Sequence, residues 1–136
     1  MFVDSNVLIF AALDSGQLGT DANKFLQLVK EGHIKATLSP MVINEVMRAI
    51  QKGQGREQAD RIVTGIMLLP FSWLDIGYSC IHHARRHFKA GLDPTDAFHV
   101  AVMNDYSIDM IVSEDTHFDK VQGIKRITIK QAISGK

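Results

Sequence analysis

Five short apolar runs, separated by longer stretches of helical periodicity, set the limits on what this chain can fold into. The runs are Met1 to Val3, Ile34 to Leu38, Phe71 to Ile76, Met110 to Val112 and a weaker, alternating one from Ile124 to Ile129. Each reads as a buried strand. Thr20 or Asp21 is placed to cap a helix whose apolar positions Ala22, Phe25, Leu26, Leu28 and Val29 repeat at helical spacing, with Gly32 as its stop. Ser39 and Pro40 signal the start of another, since proline suits the first helical position, where its missing N–H would be unpaired anyway. That helix runs to about Lys52, GQG marks a loop, and a further helix covers Arg56 to Leu69. Tyr78 to Lys89 and the segment opened by Asp93 and Pro94 complete the set. The alternation predicts an α/β fold with a mainly parallel central sheet of four to five strands, flanked by helices as an α/β/α sandwich.

With 136 residues, 46% of them hydrophobic, the chain can bury one sizeable core, which predicts a single domain over residues 1–136. No internal repeat or long linker divides it. No apolar run approaches the roughly 20 residues of a membrane-spanning helix, and the basic start and cleavage site of a secretory signal are missing. This predicts a cytosolic protein with no membrane partner. Cys80 is the sole cysteine, so neither an intrachain disulfide nor a thiolate metal cage can form, and it reads as a small core residue. Fifteen basic residues balance fifteen acidic ones, so any signal for nucleic-acid binding must be local.

The acids carry the functional signal. In MFVDSNVLIF, Asp4 directly follows the first strand, and in MIVSEDTHFD, Asp115 stands just past a later one. In open α/β sheets the functional crevice lies beyond the carboxyl ends of the strands, so these two acids are able to face one crevice. Each also has a simpler explanation as a helix or turn cap, Asp4 for a helix starting at Ser5 and Asp115 for a short turn through Asp119. In DPTD, Asp93, Pro94 and Asp96 likewise look like a capping arrangement. Glu45 fits less easily. It falls at the edge of the apolar stripe formed by Val42, Ile43, Val46, Met47 and Ile50, beside Met41 and Ala49, where a surface glutamate would sit opposite. Four acids converging on one pocket explains them together. Such carboxylates repel unless a cation is present, and their hard oxygens suit Mg²⁺ or Mn²⁺ rather than zinc.

FVDSNVLIF, a helix carrying NEV, DPTDAFHVAV and VSEDTHFD, taken in order, resemble the motifs of the PIN domain, including its VapC-type toxin branch. The resemblance covers almost the whole chain. It implies that Asp4, Glu45, Asp96 and Asp115 bind divalent metal and carry catalysis, with Asn6 and Ser113 as supporting polar positions. Asp119 is a further ligand or supporting acid on this reading, and Asp93 the helix cap. The activity implied is a Mg²⁺- or Mn²⁺-dependent endoribonuclease acting on RNA phosphodiester bonds, with an antitoxin protein as partner if the chain is a toxin. An RNA-processing nuclease, or a non-catalytic binding module on the same fold, stands as the alternative. A phospho-receiver reading lacks a lysine soon after Val112, and a haloacid-dehalogenase-like phosphatase would need DxD where Asp4 is followed by Ser5 and Asn6.

The local basic signal is HHARRHFK, in which Arg85, Arg86 and Lys89 share a short helix with His82, His83 and His87. These cations are placed to track RNA phosphates, or to form a solvated face. His83 and His87 have the spacing of a metal pair but lack the glutamate and context of a zinc-protease helix. His99 reads as a core or pocket-edge histidine, and Met67, Met103 and Met110 as core filling. Apolar positions on the helices from Arg56 to Leu69 and Tyr78 to Lys89 predict a two-fold homodimer.

Overall fold

Residues 1–135 are described by the computed structural model. Five parallel strands form one sheet: β1 (Phe2–Val3), β2 (Thr37–Leu38), β3 (Ser72–Trp73), β4 (Met110–Val112) and β5 (Lys125–Ile127), in the spatial order β3-β2-β1-β4-β5. The apolar runs thus contribute strands as expected, but several pair over fewer residues than the runs are long. β3 is the extreme case: it lies at the sheet edge, both of its residues are exposed, and it has only the two-residue β2 to pair with. At the centre, Phe2, Val3, Ile111 and Val112 are fully buried, as strands covered on both faces require.

Among the described residues, seven α-helices flank the sheet: α1 (Ser5–Leu13), α2 (Gln17–Lys30), α3 (Pro40–Gln54), α4 (Arg56–Met67), α5 (Ile81–Lys89), α6 (Pro94–Asp105) and α7 (Ile129–Ile133). α1 packs on α2 and α3, α3 on α4 and α6, and α5 on α6. α2 begins before Thr20. Gly16 donates its N–H to the Asp14 carboxylate at 2.8 Å and opens the helix, and Thr20 already bonds back to the Gly16 carbonyl. Gly19 makes this corner possible, since a Cβ there would stand 1.8 Å from the Asp14 carbonyl oxygen. Only Gly55, at φ +86, separates α3 from α4, so the loop expected at GQG shrinks to one left-handed residue. Tyr78–Cys80 is a 3-10 turn ahead of α5 rather than part of that helix. Met103 is fully buried, but Met67 at the end of α4 is 63% exposed and fills no core, because the helix turns its last residue outward. Among the described residues, no helix is long and apolar enough to cross a membrane.

The strand order fixes where a site can form. The chain runs from β1 outward to β2 and β3, then returns to the other side of β1 for β4. Connections therefore diverge at the carboxyl ends of β1 and β4, leaving a crevice there. Because Val3 is in register with Val112, the next residues, Asp4 and Ser113, emerge side by side.

Candidate active site

Asp4 leaves β1 with its backbone N–H still bonded to the Val112 carbonyl at 3.1 Å. Its side chain caps α1, with Oδ1 accepting from the Ser5 N–H at 2.8 Å, so the capping reading holds. The cap is not its whole environment. Oδ2 accepts from the Ser113 hydroxyl at 2.6 Å, and that hydroxyl oxygen in turn accepts from Asn6 Nδ2 at 3.1 Å and from the Asp115 N–H at 3.0 Å. Ser113 is fully buried and ties the ends of β1 and β4 together. Ser113→Ala strands three polar groups at once and is expected to cost about 2 kcal/mol of stability, read by urea unfolding. A loss below about 0.5 kcal/mol would show that this hydroxyl is not the joint between the two strands.

Asp96 lies in the first turn of α6 and belongs to two groups of side chains whose ligating atoms all fall within 4.8 Å of one another: Asp4, Asp96 and His99, and Asp96, Asp115 and His117. Glu45, from α3, reaches the first group through His99, whose Nε2 stands 2.6 Å from Glu45 Oε1 and 3.9 Å from Asp4 Oδ1. The four sequence-predicted acids are therefore brought together at the strand ends. Burial pushes the Asp4 carboxyl above its ordinary range, with the Glu45 charge adding and the Ser113 hydrogen bond opposing. Asp96 is pushed up to about 6, first by burial, then by the charges of Asp4, Asp115 and Glu45, with His99 opposing.

Asp115 also acts as a cap. Its Oδ1 accepts from the His117 N–H at 2.9 Å and lies 3.0 Å from the ring Nδ1 of the same residue. Asp119 belongs to neither group. Arg126 grips both of its oxygens, at 2.8 and 3.0 Å, and donates a third bond to the Ser113 carbonyl at 3.0 Å. The Arg126 hydrogen bonds hold the Asp119 carboxyl below the usual carboxylate range. Asp119 thus braces the backbone beneath the acids through Arg126. Asp93 occupies the N-cap position of α6, but its side chain makes no capping hydrogen bond.

Two residues that the sequence did not assign to the site stand in it. His99 is fully buried and packs its ring on Phe2 at a centroid distance of 5.5 Å. Its Nδ1 is buried without a partner. Leaving Nε2 without a proton would set its lone pair against a carboxylate oxygen, so Nε2 carries a proton and donates it to Glu45. Nε2 then has no lone pair for a metal, and His99 holds a carboxylate rather than a cation. The signal available in the sequence was its position three residues after Asp96, on the same face of a helix. His117 is the second, two residues past Asp115 in the 3-10 turn Thr116–Lys120.

The predicted basic patch divides. Arg86 lines a cavity together with His87, Asp93, His117 and Lys120, whereas Arg85 borders an apolar groove with Ile81, Phe88, Pro94 and Phe98; Lys89 lines neither. His83 and His87 are engaged separately, by Arg86 at 2.9 Å and by Asn104 at 2.7 Å.

The donor set fits a hard divalent cation. Asp96 stands between Asp4 and Asp115 and feels the charge of Glu45 as well, and Asn6 Oδ1, beside the Ser113–Asp4 bond, is a buried acceptor without a partner. Ribonuclease VapC13 of Mycobacterium tuberculosis is 26% identical over 132 residues, covering 93% of this chain and 98% of that one. VapBC2 of Rickettsia felis, bound to a DNA fragment from its promoter, superposes with a TM-score of 0.72 at 12% identity, over 93% of this chain and 96% of that one. A toxin–antitoxin complex from Klebsiella pneumoniae gives 0.66 at 20% identity, over 94% and 96%. At such identities the structural likeness establishes the fold. The PIN domain model matches residues 1–124, a span that includes both strand ends, all four acids and the helices that carry them, and the chain therefore belongs to the PIN domain family.

Proposed function

We propose that the protein is a ribonuclease that hydrolyses RNA phosphodiester bonds with Mg²⁺ or Mn²⁺ held by Asp4, Glu45, Asp96 and Asp115. The observation that carries this reading is the gathering of these acids at the strand ends around Asp96, whose carboxyl is pushed up to about 6 by burial and then by the charges of the other three. A divalent cation there supplies a water of lowered pKa and positive charge at the phosphate. The chain's own residues do the positioning. Ser113 and the Ser5 N–H fix Asp4, His99 fixes Glu45, and the His117 N–H fixes Asp115. No side-chain nucleophile is needed, since water is the attacking group.

The test is cleavage of RNA by purified protein with Mn²⁺ and with EDTA, followed by sequencing of the ends. RNA left whole in Mn²⁺ would falsify the reading. We further read the chain as the toxin of a toxin–antitoxin pair, supported by the VapC ribonuclease relative and the toxin–antitoxin complex among its structural neighbours. Growth arrest on expression, relieved by Asp4→Asn, is the outcome that separates a toxin from an RNA-processing nuclease. Exposed Met67, Leu68, Tyr78, Ile81 and Phe88 supply apolar surface on and beside α4 and α5 for a two-fold homodimer contact, checked by light scattering.

A further inference from the structure

Beside the carboxylates lies a cavity of about 610 Å³ enclosed by the end of α5, the start of α6 and the turn Thr116–Lys120. Two residues join it to the site already described. His117, on its wall, is bonded to Asp115, and Asp93, which also lines it, stands three residues before Asp96. The volume lies within the range of about 300–1,000 Å³ typical of ligand pockets and is larger than a bare phosphate needs. Its formal charge is opposite to that of the acids next to it, with Arg86 and Lys120 set against the one carboxylate of Asp93. Arg86 and Lys120 line it, and among the described residues neither has a carboxylate within ion-pair distance. A strand of phosphodiesters crossing four carboxylates is repelled unless cations hold it nearby, and a chain of zero net charge offers no general field to do so.

We propose that this cavity receives the nucleotide next to the scissile phosphate of a single-stranded RNA, with Arg86 and Lys120 holding the adjoining backbone phosphates. The assignment rests on the ribonuclease reading and names the part of the substrate that the cavity takes. It also separates Arg86 from its sequence neighbour: Arg85 faces the apolar groove and makes no such contact. The walls are partly apolar, through Ala90, Leu92 and Val121, and carry the imidazole rings of His87 and His117, so they can accommodate a base and offer it a ring to stack on.

The experiment is fluorescence anisotropy with a labelled mixed-sequence RNA of about a dozen nucleotides, a length matching single-strand binding sites. All proteins carry Asp96→Asn so that the probe stays whole, and binding is followed against KCl concentration. Each phosphate contact on a single strand contributes a slope of about −0.7 in log K against log salt, so the Arg86→Ala/Lys120→Ala double variant is expected to lose about 1.4 of slope and to bind more weakly. Arg85→Ala is expected to retain the parent's slope. A double variant with unchanged slope, or an equal loss with Arg85→Ala, overturns the assignment. Cleavage by the unsubstituted protein is read separately: RNA left whole there overturns the ribonuclease reading, whereas RNA cleaved there with an unchanged slope in the double variant overturns the cavity assignment alone.

Discussion

Asp96→Asn is expected to remove RNA cleavage while raising the melting temperature of the metal-free protein. The loss of activity should reach at least about 100-fold, the upper end of the cost when a residue merely supporting a metal ligand is lost. The gain in stability follows from the raised carboxyl, whose value moves from 3.8 to about 6 on folding. Below the lower figure the acid is protonated in both states and folding is unpenalised. As pH rises towards about 6 the unfolded chain releases its proton first, and stability falls across that window. At neutral pH the folded protein bears the full penalty, about 1–2 kcal/mol once the water reaching this half-buried group is allowed for. Asparagine removes it, which corresponds to roughly 5 °C in melting temperature. Mn²⁺ reverses the order: a cation bound only to the folded state at 100 times its Kd adds about 2.7 kcal/mol to the wild type, and the variant should gain much less. Thermal unfolding with chelator and then with Mn²⁺ reads both signs. An unaltered Mn²⁺ shift in the variant removes Asp96 from the proposed metal site.

The second large effect is expected at His99. Truncation to alanine removes a fully buried ring from its packing on Phe2 and should cost about 2–4 kcal/mol. It also frees Glu45, whose carboxylate has the 2.6 Å bond to Nε2 as its side-chain contact. Cleavage measured well below the melting point should fall about 10–100-fold, as for other residues that orient a ligand. His99→Gln keeps an N–H donor at similar reach and should recover part of both losses. Equal activity in wild type and His99→Ala would mean that Glu45 is oriented by something else. Stability restored by glutamine without activity would assign the ring a packing role alone.

What the sequence made legible was local or periodic. The parallel α/β arrangement followed from apolar runs alternating with helices, and Asp4 and Asp115 stood out because each ends such a run. Glu45 stood out by breaking the polarity of its helix face. α1 carried no comparable signal, because SNVLIFAAL is apolar nearly all round and shows no helical stripe. The remaining misses are contacts between distant segments. Nothing near His99 announces Glu45, 54 residues earlier. Asp119, in the 3-10 turn, looked like a fifth acid for the site until Arg126, seven residues on in β5, took both of its oxygens. Arg85 and Arg86 are adjacent in sequence but point into different surroundings, and which of them meets the cavity depends on how α5 lies against α6.

The Ser113–Asp4 bond joins residues 109 positions apart, and Ser113 is itself held from the far side, its N–H bonded to the Ile127 carbonyl in the last strand. During synthesis, Asp4, Glu45 and Asp96 emerge with nothing to gather them until β4 and β5 have followed. At about 5–20 residues per second, roughly 6–25 s separate the first of these acids from the strand that completes their support. A growing chain therefore carries these carboxylates scattered and solvated until β5 has emerged. The cluster, and any chemistry that depends on it, forms only once β5 is available.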